Sequence, residues 1–420
     1  MNPFAPDTLR ALAQHHGTPL WVYDAATIRA RIASLKSFDI IRYAQKANSN
    51  VHLLRLMREQ GVKVDAVSLG EIDRAVMAGY ALDDIVFTAD LFDHATLARV
   101  VADGITVNAG SVDMLAQLGH ASHQAGRSHH QVWLRINPGF GHGHSNKTNT
   151  GGEHSKHGIW HTDVPAALNE IDRHGLHLVG LHMHIGSGVD YSHLQAVCGA
   201  MVDLAEQVKR PLEAISAGGG LSIPYQDGEA TTDTAHYFNL WDATRRRIEE
   251  KLGCSLKLEI EPGRYLVAES GVLLGEVRAQ KHQGSQHFVL VDAGFNDLMR
   301  PSMYGSHHGI SVLRADGTFA TGNNAPTVVA GPLCESGDVF TQGEGGVVQT
   351  RDLPAATLGD WLVFHDTGAY GAAMSSNYNT RPLIAEVLVD GQGDKLSSRL
   401  ESRLIRRRQT AAELLALEDC

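Results

Sequence analysis

Short apolar runs that alternate with segments of helical spacing occupy the first 270 residues. Eight such runs recur: IIRYA around residue 43, VKVDAVS around 65, DIVFTA around 87, GITVNA around 107, VWLRIN around 135, LVGLHMHIGS around 183, LEAISAGGG around 215 and LKLEIEPGR around 260. Between them, segments such as VHLLRLMREQG, EIDRAVMAGY, HATLARVVADG and VDMLAQLG carry apolar residues three and four apart, and several are stopped by glycine, which ends helices readily. Strand then helix, eight times over, predicts an α/β architecture, a parallel (β/α)8 barrel.

Beyond about residue 270 the pattern changes. The runs GVLLGEV, HFVLVDAG, TVVAGPL, GGVVQT, DWLVFHD and IAEVLVDG are separated by turns instead of helices, which predicts a mainly β C-terminal domain, a sandwich or barrel. The closing RRRQTAAELLALE returns to helical spacing, its basic run read as a solvated helix start. Residues 139–158, GFGHGHSNKTNTGGEHSKHG, are too long for an ordinary barrel connection and predict a mobile loop, a lid over one end.

Composition narrows the class. The chain has 420 residues, enough for two cores, with 43% hydrophobic and 20% charged positions, as in a soluble globular enzyme. A net charge of -11 argues against a nucleic-acid partner, since no basic cluster precedes LIRRRQ. Four scattered cysteines, Cys198, Cys254, Cys334 and Cys420, suggest neither a disulfide framework nor a cysteine zinc site. No run approaches a membrane span and no secretory leader is evident, so the expectation is a soluble, cytoplasmic protein.

In such a barrel the active site forms at the C-terminal ends of the strands. The first run ends in Lys46, the second in Asp65, Ser68 and Glu71, the fourth near Asn108, the fifth in Arg135 and Asn137. The sixth supplies His182, His184 and Ser187, the seventh Gly218, Gly219 and Gly220, the eighth Glu261, Gly263 and Arg264. A lysine at a strand end ordinarily reaches solvent, but in a barrel mouth it is partly desolvated, which favours the neutral amine that forms Schiff bases with aldehydes. Three successive glycines ordinarily make a turn, yet they leave backbone N–H groups open to an anion, and Ser187 and Arg264 add donors. Together these features suggest a phosphorylated aldehyde cofactor, pyridoxal 5'-phosphate. His182 and His184 also admit a metal, but no acidic or cysteine partner follows at ligand spacing, so no metal is expected and an imidazole stacked on a cofactor ring serves as well. A carboxylate such as Glu261 at the pyridine nitrogen makes the ring an electron sink, whereas its plain role is to pair with Arg264.

With KAN, HIGSG, GGG and EPGR on successive strands, the sequence resembles the pyridoxal-phosphate-dependent decarboxylases of the alanine racemase-like fold, essentially end to end. DAGFNDLMRPSMYG (292–305), GPLCESGD (331–338) and GAYGAAMSSNYNTRP (368–382) extend the resemblance. It implies a barrel over 25–270 and a β domain formed by 1–24 with 271–420. It further implies that Lys46 carries the cofactor, His184 stacks on its ring and Glu261 meets its nitrogen. Ser187, the glycine triplet, Gly263, Arg264 and Tyr370 would hold the phosphate, with Asp65, Glu71 and Arg135 as buttresses. Arg264, Arg300, Tyr304, Glu335 and Tyr370 would bind substrate, and Cys334 would be a catalytic proton donor. Cys334 and Glu335 are expected to reach a neighbouring subunit's site, so the unit is a homodimer at least. Arg300, Tyr304 and Glu335 suit a distal carboxylate that carries its own amine. The expected reaction is decarboxylation of meso-2,6-diaminopimelate to L-lysine and CO2.

Overall fold

A computed structural model describes residues 3–141, 150–184, 186, 190–391 and 401–418. The chain divides into two compact units, one of Arg31–Ser222 with Thr231–Tyr265, the other of Met1–Ala30, Ile223–Ala230 and Leu266–Cys420.

The first unit is the barrel. Its strands are Ile40–Ala44, Lys63–Ala66, Ile85–Ala89, Thr106–Ala109, Gln131–Asn137, His177–His182, Ala214–Ser216 and Lys257–Ile260. Each pairs in parallel with its neighbours, and the eighth pairs with the first (Glu259 opposite Ile40), which closes the cylinder. Both faces are covered, so the strands read as near-continuous apolar runs. Arg42 and Glu259, on the first and eighth strands, make a buried ion pair, with Nη2 3.0 Å from Oε2 and Nε donating at 3.1 Å. Removing either partner would strand the other charge.

Helix boundaries follow local chemistry. Asn50, Ser68, Asp93, Ser111 and Asp233 each accept an amide of the following first turn through the side chain, and Gly79, Gly104, Gly175 and Gly253 end helices in the left-handed conformation. Gly119 does not stop its helix, which runs from Val112 to Gln124; it makes a notch for the His174 ring, which a Cβ there would approach to 2.2 Å.

The second unit is built on a nine-stranded sheet. Leu20–Asp24 lies between Gly271–Gln283, antiparallel, and Ala385–Asp390, parallel. Leu9, Leu12 and Ala13 of the helix Pro6–His16 pack with Leu20, Val272, Val363 and Val387 in one core, which is why the N-terminal residues belong to this unit. Two expectations are corrected here. GGVVQT is not a strand: Gly345 and Gly346 take positive φ and turn the chain, Val347 and Val348 stand exposed, and the strand begins at Arg351. The basic run does not start a helix. Arg406 ends the strand Glu401–Arg406 with Nη1 2.9 Å from Oε1 of buried Glu386, and the helix Ala411–Leu415 begins after a Thr410–Glu413 capping box.

Candidate active site

The first strand does not run straight into its helix. After Ala44 the chain makes a single tight turn, Gln45–Ala47, held from two sides. The Ala44 amide donates to the Pro262 carbonyl at 3.2 Å, and Gln45 Nε2 donates to the Glu71 carbonyl at 3.1 Å. Gly263 lies so close that a Cβ would come within 3.2 Å of the Ala44 oxygen and 3.3 Å of the Ala47 methyl. Gln45 and Ala47 are buried while Lys46 between them is exposed. The turn buries its neighbours and leaves the Lys46 side chain accessible, within electrostatic reach of Asp65, Glu71 and His184.

Two carboxyl groups, Asp65 and Glu71, feel the Lys46 charge, and Glu261 acts on the first of them. Burial and the Glu261 charge raise Asp65 well above the ordinary carboxylate range, against the Thr88 hydroxyl, which donates at 2.5 Å, and against Lys46. Burial likewise raises Glu71, opposed by the Val67 amide (2.8 Å) and by Lys46 and Arg74. Burial also acts against ionisation of Glu261, but His182, Arg42 and Arg135 overcome it and hold the group below its usual range. His182 Nε2 lies 2.6 Å from Glu261 Oε2, both side chains nearly inaccessible. Two neighbouring buried carboxyls are thus driven apart, Asp65 toward the acid and Glu261 toward the anion.

The glycine triplet closes the far side. The Gly218 carbonyl accepts from the Glu261 amide at 2.8 Å. Gly218, at φ +61°, leaves room only for hydrogen, since a Cβ would meet the Met183 oxygen at 2.2 Å and the His184 Cβ at 2.9 Å. The expectation that these amides stand open to an anion needs revision for two of them: Gly218 N–H donates to Ser216 Oγ (3.1 Å) and Gly219 N–H to His184 Nδ1 (3.2 Å). The latter contact fixes Nδ1 as an acceptor. Burial, with Lys46 and Arg135, pushes His184 well below its ordinary value, so the ring is uncharged at neutral pH.

Arg135 is buried at the end of the fifth strand, and Arg264 opens a short helix after the eighth. Ser187 lies outside the described residues, as does 142–149 of the expected lid. What is described of that loop is its base. Asn137 accepts from the Gly139 and Gly152 amides and donates to the Gly152 and His157 carbonyls, so one side chain ties both ends together. Asp90, beyond the third strand, adds His157 Nδ1 at 2.6 Å and the Gly158 amide at 3.1 Å. Against burial, these contacts and Arg135 hold its carboxyl below the ordinary range.

The second unit carries the other expected residues. Arg300 is buried, donates to His308 and stacks on Tyr225, its guanidinium carbon 4.8 Å from the ring centre. Tyr304 is half-buried in the same short helix, Arg300–Tyr304. Cys334 and Glu335 are exposed; the Cys334 amide donates to Asn379 Oδ1 at 2.9 Å and the Tyr378 hydroxyl lies 3.4 Å from Glu335. Tyr370 takes φ +57°. Sequence reasoning missed Thr88, Tyr225 and Asn379, whose partners lie more than 20 residues away, and His308, eight residues after Arg300, which the HH of YGSHHG signals.

These residues fit pyridoxal phosphate: an exposed amine, an ionised carboxylate braced by histidine, an uncharged flat imidazole and a backbone cradle that tolerates no Cβ. A barrel with this mouth is the class of site that works through a phosphorylated aldehyde. Residues 25–268 match the family described as pyridoxal-dependent decarboxylase, pyridoxal binding domain. Diaminopimelate decarboxylase of Escherichia coli (strain K12) is 64% identical over 417 residues, 98% of this chain and 96% of the relative. That of Streptomyces coelicolor is 64% identical over 414 residues, 98% and 91% of the two chains. A crystal structure of diaminopimelate decarboxylase matches with TM-score 0.93 at 62% identity, over 99% of each chain. The Helicobacter pylori enzyme complexed with L-lysine matches with TM-score 0.84 at 30% identity, over 97% of this chain and 98% of that one. The chain belongs to the pyridoxal-dependent decarboxylases and, among them, to the diaminopimelate decarboxylase family.

Proposed function

We propose that the protein decarboxylates meso-2,6-diaminopimelate at its D centre to L-lysine and CO2, the last step of lysine biosynthesis. The observation that carries this is the ionised Glu261, 2.6 Å from His182 in the barrel that presents Lys46, in a chain 64% identical to enzymes named for that substrate. When bound, pyridoxal phosphate supplies the sink for the electron pair left at Cα as CO2 departs. Lys46 holds the aldehyde carbon through its amine. Glu261 keeps a proton on the ring nitrogen, and His184, uncharged, offers its flat face to the ring. Gly220, with Ser187, Gly263, Arg264 and Tyr370, would hold the phosphate, since the Gly218 and Gly219 amides are engaged within the barrel, while Asp65, Glu71 and Arg135 would buttress the lysine and the ring contacts.

Substrate choice falls to the second unit. The Arg300 fork and the Tyr304 phenol take a carboxylate, with Arg264 and Tyr370 contributing, and Glu335 takes the distal ammonium. Cys334 returns a proton to Cα. Both Cys334 and Glu335 are exposed on their own chain, which supports a homodimer whose subunits lend this pair to each other. Among the described residues no helix is long and apolar enough to cross a membrane, and Cys198, Cys254 and Cys334 are unpaired, which supports a cytoplasmic enzyme. Incubation with diaminopimelate should release CO2 and lysine in equal amounts. Consumption of lysine or ornithine instead would overturn the substrate assignment. Lys46→Ala should lose the visible cofactor band; a band that borohydride still fixes elsewhere would overturn the role of Lys46.

A further inference from the structure

Two histidines, His182 and His184, stand at the C-terminal end of the sixth strand, and only His184 has been given a contact with the cofactor. His182 is the deeper, fully buried, and reaches the eighth-strand carboxylate past the small residues Ser216, Ala217 and Gly218 of the seventh. Its Nε2 is 2.6 Å from Glu261 Oε2, and its Nδ1 is buried with no hydrogen-bonding partner among the described residues, so this one contact orients the ring. Asp65, His182 and Glu261 come from strands two, six and eight, as members of one barrel layer do. Such layers are ordinarily Val, Ile and Leu; here polar groups replace them, at a desolvation cost that calls for a use.

We propose that His182 is a positioning residue: by donating from Nε2 to Oε2 it fixes Glu261 so that the other oxygen, Oε1, holds the protonated nitrogen of the cofactor ring. This rests on the assignment of Glu261 to that nitrogen. The groups acting on Glu261 are Arg42 from the first strand, Arg135 from the fifth and His182 from the sixth, all favouring its anion, with Asp65 from the second coupled to it. Of these, His182 makes the direct hydrogen bond. Without it, Glu261 could rotate toward Arg42 or Arg135, or share the proton of Asp65, and in each case the ring nitrogen loses its partner.

The test reads the proton at that nitrogen directly, from the 15N chemical shift of labelled pyridoxal phosphate in holoenzyme titrated through neutral pH. Four variants are compared after a melting curve has established folding: Glu261→Gln, His182→Gln, whose amide reaches the position of Nε2, and His182→Asn and His182→Leu, which cannot reach Oε2. Expected is an apparent pKa of the ring nitrogen lowered by about one unit or more in Glu261→Gln and in whichever of the Asn and Leu variants folds, with the wild-type value retained in His182→Gln. If Glu261→Gln lowers it and the donor-less His182 variants do not, or if His182→Gln behaves as they do, the proposal is overturned. If Glu261→Gln itself has no effect, the assignment of Glu261 fails, which is a separate result.

Discussion

Arg300 donates through Nη1 to Nε2 of His308 at 2.9 Å, and His308 donates through Nδ1 to the His365 carbonyl, also at 2.9 Å. The carbonyl dictates the tautomer and the tautomer supplies the acceptor, so the guanidinium is aimed by a backbone group. His308→Leu removes the acceptor that orients the buried Arg300 guanidinium. The expected outcome is a KM for diaminopimelate raised about tenfold, equivalent to about 1.4 kcal/mol, with a smaller change in kcat. Steady-state kinetics checks this; an unchanged KM would separate His308 from the aim of Arg300.

Gly219→Ala should act on His184 as well as on the backbone. The added methyl would sit 2.6 Å from the Glu261 carbonyl, and the shift that relieves this moves the amide that holds His184 Nδ1. Overpacking of this kind costs on the order of 1–3 kcal/mol. A lowered melting temperature together with weaker cofactor retention on dialysis is expected; loss of stability alone would mean that the triplet is only a turn.

A shared-site dimer predicts complementation. Lys46→Ala and Cys334→Ala chains, each inactive, should regain activity when mixed, since one heterodimer site then holds both native residues. The ceiling is about one quarter of wild type for random pairing of equal amounts. Mixtures shown to exchange subunits yet still inactive would argue for a complete site within each chain.

Asp297 provides a test by pH. Burial pushes its carboxyl up to about 7, against the Gly294 amide and the charges of Arg381 and Arg408. Between its ordinary value near 3.8 and about 7 the unfolded chain releases this proton while the folded one keeps it, so the group lowers stability as pH rises through that window, and the loss is complete above it. Asn296 Oδ1, buried without a partner among the described residues, could accept that proton if its amide were turned over. Asp297→Asn should therefore gain in melting temperature over wild type between pH 5 and pH 8, by about 3 °C or more. A difference independent of pH would rule out titration of Asp297.

The barrel was legible because its signal is local and repeats: an apolar run, an N-cap, a helix, a glycine. Lys46, Asp65, Arg135 and Glu261 were legible because the fold itself says where to look, at the ends of those runs. What acts across the sheet left no local trace. Nothing around Thr88 says that it bonds Asp65, and nothing around Tyr225, in a segment that leaves the barrel for the other unit, says that it underlies Arg300. GGVVQT misled because two adjacent valines look like a strand, while the glycines before them had already turned the chain. The arginine run misled because the need of Arg406 lies twenty residues away, in the buried Glu386.

The knot at Asn137 has an evolutionary consequence. Because a single amide laces Gly139, Gly152 and His157 together, the barrel sees a closed ring, whatever chain lies between. Lengthening the segment beyond that ring adds closure entropy that grows only logarithmically, and it leaves Arg135 two residues upstream undisturbed. The site is therefore a natural port, where residues can be inserted or exchanged to tune the enzyme without refolding its catalytic frame.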